Sequence, residues 1–299
     1  MYHARKWGGI FQATQRGAQA FFKKGKPRSI VDIATLTSIY RPGPLNADVH
    51  KIYLGAKADP ENIDYQHPLI KQVLKPTHGA IIFQEQVMEL CNVVAGFPQE
   101  DCDKIRRTIM KRSASKADAM KAEAQALENA FVEGCVKNGL SKTLASELYA
   151  KILFFSGYGF NKSHAVSYAI DSYYCAWLMT YYEEEWLCGY LEAMSGNPKK
   201  RAKAFSEIKK LGYKVSPIDI NYATKSWTIL EGRKFMPSFL SCKGVGTAAI
   251  DEIIENRPYK SVDDLLWEDS GKWRHSKFNK RALENLIKIK AFGSMDLVG

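Results

Sequence analysis

"SCKGVGTAAIDEII", Ser241–Ile254, is the most specific local signal in the 299-residue chain. A Gly-x-Gly follows a short helical stretch and leads into a helix rich in Ala and Ile. Glycines at Gly244 and Gly246, on either side of Val245, let backbone N–H groups approach a phosphate closely, and the next helix N-terminus adds its dipole. Lys243 supplies charge beside them. This pattern predicts a helix-hairpin-helix element that grips duplex DNA by its backbone and reads no sequence. An ordinary tight turn between two helices fits the same residues. Phe292-Gly293, after "LIKIKA", suggests a second, weaker hairpin. There is no third glycine and no preceding βαβ unit, so a dinucleotide-binding fold fits poorly.

Charge points the same way. The net charge is +11, unevenly spread. Residues 1–31 carry seven Lys/Arg and no acid, residues 104–121 carry seven against Asp118 alone, and residues 270–299 carry seven against two. Three separate basic blocks suggest a polyanion partner, with nucleic acid the default. Solvated faces are the plainer reading of any one block. Lys277, Lys280 and Arg281, in the last block, join Lys243 as candidate DNA contacts.

Hydrophobic residues form 45% of the chain, enough for a core. No charge-free apolar run reaches membrane-spanning length, and "MYHARKWGGIF" lacks the apolar core of a signal peptide. An intracellular protein is expected. Cys91, Cys102, Cys135, Cys175, Cys188 and Cys242 lie far apart with no C-x-x-C pair, which predicts buried thiols rather than zinc ligands.

Outward from the hairpin, the chain reads as mostly helical. Arg28–Ile39 has helical spacing and stops at "RPGPL", Arg41–Leu45, where two prolines around a glycine predict an extended turn. His67–Phe97 gives a short helix, a break at Pro76, an apolar run Ala80–Phe83, and a longer helix with Val87, Leu90, Cys91 and Val94 on one face. "SASKAD" interrupts the next helical stretch, and Asn138-Gly139 should end the alanine-rich helix after it. "SKTLASELYAKILFFSG" predicts a further helix. The long helix beyond it should run to about Met194. A polar linker, a helix and short strands before Pro217, around 227–230 and around 235–239, precede a return to short helices. The domain break is expected between Ser195 and Pro237.

Two other clusters carry chemistry. Arg106, Arg107 and Lys111 share a helix face and suit a triphosphate or a strand backbone, or simply a solvent-facing stripe. Asp101 and Asp103 resemble a metal-binding pair, but at a helix start they are explained by capping and the dipole. No carboxylate cluster, nucleophile–base–acid set or P-loop is evident, so this chain alone is not expected to do chemistry. "GYGFNKSHAVSYAI", Gly157–Ile170, places Lys162 and His164 at the entry to an aromatic, apolar run with no acid before Asp171. A lysine at the mouth of a buried helix usually points at something negative.

"YRPGPL", "IIFQEQVM", "RRTIMK", "FVEGCVKNGLS" and "GYGFNKSHAVSYA", in this order and spacing, resemble the C family of DNA polymerases, the bacterial replicative DNA polymerase III alpha subunits. "FLSCKGVGTAAIDEIIENR" is similar to that family's helix-hairpin-helix segment, and "IFQATQRGAQAF" to the stretch leading from palm into fingers. The chain departs from the family pattern at "MKRSAS" after the arginines and at Thr14. The resemblance implies a mainly α protein: a multi-helix fingers domain over 1–195, with 1–27 leading in from the palm side, a small α+β connector over 196–236, and a helix-hairpin-helix DNA-binding region, with Phe292-Gly293 making it tandem, over 237–299. The family's palm, with its magnesium-binding aspartates, lies N-terminal to these motifs. None of it is read here, and Asp101 and Asp103 do not align with it.

The resemblance therefore implies one part of a DNA-directed DNA polymerase in DNA replication, completed by a palm-bearing polypeptide. A chain starting at Met1 fits a separately encoded half, as in a phage, and equally a fragment. Arg106, Arg107, Lys111, Lys162, His164 and Tyr168 are the implied nucleotide-binding residues. Lys162 and the arginines would meet the triphosphate, while His164 and Tyr168 would pack near base or sugar. Arg41, Gln84 and Gln86 are implied to be structural, and no catalytic or metal-binding residue is expected on this chain. The implied partners are DNA primer-template, deoxynucleoside triphosphates, the palm-bearing polypeptide and, as a further candidate, a sliding clamp, with no membrane. Magnesium is the implied cofactor, held mainly by the palm. The implied location is the bacterial cytoplasm or nucleoid, or the host cytoplasm for a phage. A non-enzymatic duplex-DNA-binding protein, or an inactive polymerase remnant, is the alternative.

Overall fold

A computed structural model describes residues 6–112, 118–156 and 158–295, without the side chains of 110–121 and 156. The protein is mainly α-helical with one small mixed sheet. It divides into two compact units, residues 10–176 and residues 6–9 with 177–295.

The first unit opens with α1 (Arg16–Gly25) and α2 (Ile30–Ile39). Ser29 caps α2 by accepting the Asp32 N–H. Buried Asp32 accepts bonds from the Arg28 N–H and the Tyr53 hydroxyl and pairs with Lys57, so its charge is fully partnered. "RPGPL" departs from the expected extended turn. Only Arg41 is extended, and Pro42 starts a short helix, α3 (Pro42–Asn46). Proline at the first helical position loses no hydrogen bond, because that N–H has no partner within the helix.

Then come α4 (Val49–Ala58), α5 (Pro68–Leu74) and α6 (Gln84–Glu89), the last running into a π-helical turn over Leu90–Val94. Val87, Leu90, Cys91 and Val94 are all buried, as their spacing predicts. A 3₁₀ turn (Gln99–Asp101) leads into α7 (Cys102–Arg112), so Asp101 precedes the α-helix and only Asp103 lies in its first turn. "SASKAD" lies, but for Asp118, outside the described residues. α8 (Asp118–Lys137) and α9 (Lys142–Ser156) follow. α8 closes at Asn138-Gly139, where Gly139 takes φ +93°. At Gly134 a Cβ would lie 1.9 Å from the Ala95 carbonyl oxygen, so glycine is what lets α8 approach the π turn.

The helix expected to run to Met194 is two: α10 (Lys162–Tyr181) and α11 (Glu183–Met194). Tyr182 leaves helical geometry at φ −134°, and Glu183, Glu184 and Glu185 form the first turn of a new helix, where its dipole favours acids. The boundary between the units falls within α10.

In the second unit α12 (Pro198–Lys210) is capped by Asn197. Strands β1 (Lys214–Val215), β2 (Thr228–Leu230) and β3 (Lys234–Met236) form a sheet in the order β1-β3-β2, with β1 parallel and β2 antiparallel to β3. Helices α13 (Thr247–Asn256), α14 (Val262–Leu266) and α15 (Lys280–Lys288) then close a core around Phe239, Ile250, Ile253, Leu265, Phe278 and Leu286. Among the described residues no helix is long and apolar enough to cross a membrane. All six cysteines are free, and burial pushes Cys91 up to about 12 and Cys135 up to about 11.

Candidate functional site

Lys162 is the first residue of α10, and the segment Ile82–Gln86 sets its position. The Phe160 N–H donates to the Ile82 carbonyl (3.0 Å) and the Gln84 N–H to the Phe160 carbonyl (2.9 Å). Gln84 also donates its side-chain amide to the Gly159 carbonyl (3.1 Å). Buried Gln86 anchors this segment from behind. Its Oε1 accepts the Ile82 and Phe83 N–H groups (2.9 and 3.0 Å), and its Nε2 donates to Thr77 Oγ1 (2.7 Å). Both polar atoms of this buried amide are thus hydrogen-bonded, as buried polar groups generally are.

Glu85, between the two glutamines, reaches the start of α10. It accepts the Lys162 backbone N–H at 2.8 Å and the Asn161 side-chain amide at 3.1 Å, while Asn161 Oδ1 accepts the His164 N–H at 2.8 Å. The acid that the sequence lacks beside Lys162 is supplied by tertiary structure, and it meets the backbone rather than the ammonium. Sequence reading missed Glu85. Its only signal was an acid inside the polar interruption "FQEQ" of an otherwise apolar stretch.

Along α10 an aromatic ladder forms. The Arg41 guanidinium lies 4.1 Å from the Phe160 ring centre. Phe160 is 5.4 Å from His164, His164 is 4.2 Å from Tyr168, and Tyr168 is 5.2 Å from Phe11. Arg41 is fixed by donating to the Ser38 carbonyl (2.9 Å) and the Tyr158 carbonyl (3.2 Å). Ser172 holds Phe11 through its carbonyl (2.8 Å). His164 is exposed, while Phe160, Lys162 and Tyr168 are half-buried.

Arg106 and Arg107 converge elsewhere on α7, on Asp103. Arg106 donates to Oδ1 at 2.7 and 3.0 Å, and Arg107 lies 2.7 Å from Oδ2. Hydrogen bonds from Arg106 hold the Asp103 carboxyl below its usual range. Asp103 thus organises two guanidinium groups, and Arg107 remains 68% exposed. Lys111 lies on α7, but its side chain is outside the described residues. α7 packs against α6, the helix that carries Glu85.

In the second unit the Gly-x-Gly forms the predicted turn. Gly244 takes φ +88°, and a Cβ there would meet Asn285 Nδ2 at 2.5 Å, with Arg281 Nε at 3.6 Å. The turn therefore packs on α15 and brings Lys243, Gly244 and Arg281 together. Gly246 is the α13 N-cap, with no side-chain cap and open space around it, while Val245 is buried in the core. That leaves an exposed helix N-terminus able to receive a phosphate. Lys277 and Lys280 are exposed on the loop and helix start nearby in sequence. Behind them, Glu252 accepts the Ser276, Lys277 and Phe278 N–H groups (2.6, 2.8 and 2.7 Å). Burial alone would raise its carboxyl, but these bonds bring it down to about 2. At Phe292-Gly293 the Ser294 N–H is already taken by Asp219 (2.9 Å).

Magnesium does not fit these residues. Asp103 is engaged by two arginines, and among the described residues no group of three His, Cys, Asp or Glu side chains could hold a metal ion.

Comparison with known proteins identifies two regions of the chain. Residues 1–139 match the bacterial DNA polymerase III alpha subunit finger domain, and residues 212–297 match a helix-hairpin-helix motif. DNA polymerase III subunit alpha of Campylobacter jejuni is 34% identical over 290 residues, covering 95% of this chain and 23% of that protein. Those of Chlamydia muridarum and Escherichia coli K12 are each 32% identical, over 99% and 95% of this chain and 23% and 24% of theirs. The chain thus spans about a quarter of the length of these curated relatives.

Proposed function

We propose, for a chain that carries the finger domain and helix-hairpin-helix region of the bacterial DNA polymerase III alpha subunit family, that it binds the incoming deoxynucleotide on the α10 face and duplex DNA at the hairpin. The observation that carries this reading is the setting of Lys162. Its backbone is locked by Glu85, its ammonium has no carboxylate partner among the described residues, and exposed His164 and the Tyr168 ring follow within the first two turns of the same helix. A cation at the helix start, with a stackable aromatic pair further along the same helix, suits a nucleoside triphosphate, with charge for phosphate and rings for base or sugar.

In this reading Lys162 and the Arg106–Arg107 pair stabilise charge on the triphosphate, with Lys111 a further contact. The family's chemistry needs a divalent metal, which we assign as magnesium on a separate palm-bearing polypeptide. The chain alone is then inactive. Lys243, the Gly244–Gly246 turn, Lys277, Lys280 and Arg281 hold the duplex backbone, giving salt-dependent binding without sequence preference. We place this assembly in the bacterial cytoplasm or nucleoid, or in a phage-infected host, with a sliding clamp as a further candidate partner. The fingers span 1–195, the connector 196–236 and the hairpin region 237–299. A direct test is anisotropy of labelled primer-template with the chain and a palm-bearing polypeptide. Tighter binding on adding the correct deoxynucleotide supports the reading. The exposed hairpin also favours a second reading, a non-enzymatic duplex binder or inactive remnant, which predicts DNA binding indifferent to nucleotide.

A further inference from the structure

We infer that Glu85 is a positioning residue for Lys162, which rests on the nucleotide-site reading above. Its carboxylate stands in the first turn of α6 and at the N-terminus of α10, where two helix dipoles favour negative charge. By accepting the Lys162 N–H and the Asn161 amide, it occupies the place at the start of α10 that an anion would otherwise take. The triphosphate is therefore met by the Lys162 ammonium and not by the helix backbone. Asn161 extends the same control to His164, whose N–H it accepts while its own amide is held by Glu85. One carboxylate thus holds the stretch of backbone from which both the Lys162 and His164 side chains start.

The alternative view of Glu85 makes the opposite prediction. A carboxylate beside a polyphosphate site repels the ligand, so its neutralisation would tighten binding. If positioning dominates, Glu85→Gln weakens binding instead, because its amide nitrogen faces the Asn161 amide, donor against donor. Adding Asn161→Asp reverses that bond. The amide introduced at position 85 then donates to the carboxylate introduced at position 161, and its carbonyl oxygen still accepts the Lys162 N–H. The new carboxylate still accepts the His164 N–H, and net charge is unchanged.

The experiment is calorimetric binding of deoxyadenosine triphosphate with magnesium to the full 299-residue chain, at a temperature where circular dichroism shows every variant folded. Glu85→Gln should weaken binding about fivefold, the weight of a lost helix cap. The double variant should recover wild-type affinity. In a Lys162→Ala background, Glu85→Gln should have little further effect, since residues acting through one another are not additive. Tighter or unchanged binding by Glu85→Gln, absence of rescue, or full additivity with Lys162→Ala overturns the inference while the nucleotide site stands. No binding by the wild-type chain, or no loss with Lys162→Ala, overturns the nucleotide-site reading itself and the inference with it.

Discussion

The ring of His164 lies 4.2 Å from that of Tyr168, one helical turn further along α10. The pair is the centre of a ladder that begins at Arg41 and ends at Phe11. Removing the Tyr168 ring should unseat His164 from one side, whereas removing its hydroxyl should not. Tyr168→Phe is expected to keep nucleotide affinity and Tyr168→Ala to weaken it about fivefold, the scale of one aromatic contact. Titration with deoxynucleotide reads both.

Lys162→Ala should lower kcat/KM for deoxynucleotide about ten- to hundredfold in the assembled enzyme, the weight of a charge-assisted hydrogen bond. Duplex binding, which belongs to the hairpin, should be unchanged. Steady-state kinetics beside a duplex titration check the split, and unchanged kinetics would remove Lys162 from the site.

The two hairpin glycines should behave differently. Gly244→Ala places a Cβ at φ +88° against Asn285, so it should destabilise the second unit by ~1–2 kcal/mol. Gly246 has a β-region conformation and open space, so Gly246→Ala should leave the melting curve in place. Because a methyl group there stands where a phosphate would approach, duplex affinity should still fall. Thermal melts and DNA titrations on both variants separate fold from binding.

How much of this was legible in the sequence depended on range. The glycine turn, the buried face of Val87, Leu90, Cys91 and Val94, and the Asn138-Gly139 stop follow from local conformational rules, and the structure has them. The break at Tyr182 was missed because an aromatic run conceals a helix end that its three following glutamates explain. "RPGPL" was misread because proline stops one helix and starts another equally well. Glu85 was beyond local reading altogether. It lies 77 residues from Lys162 in sequence and is brought to it by the pairing of Phe83 with Phe160.

Glu252 gives the second unit an acid limit. Its carboxyl is about 2 in the folded protein against an ordinary 4.5, so it stabilises the fold fully above about 4.5. That contribution is lost progressively as pH falls toward 2. Protection of the Ser276, Lys277 and Phe278 amides from hydrogen exchange, taken relative to each amide's intrinsic rate at the same pH, should fall across this window, and Glu252→Gln should abolish that fall. Protection that is constant from pH 5 to pH 2 in the wild type contradicts the assignment.

Under the proposal above, this chain supplies the fingers and DNA grip of a polymerase and needs a palm that its own described residues do not provide. Primer extension with magnesium and all four deoxynucleotides tests it most directly, comparing this chain alone, a palm-bearing polypeptide alone, and their mixture. Synthesis is expected only in the mixture, slowed about ten- to hundredfold at limiting deoxynucleotide by Lys162→Ala. Synthesis by this chain alone would contradict it and return Asp101 and Asp103 to consideration as metal ligands.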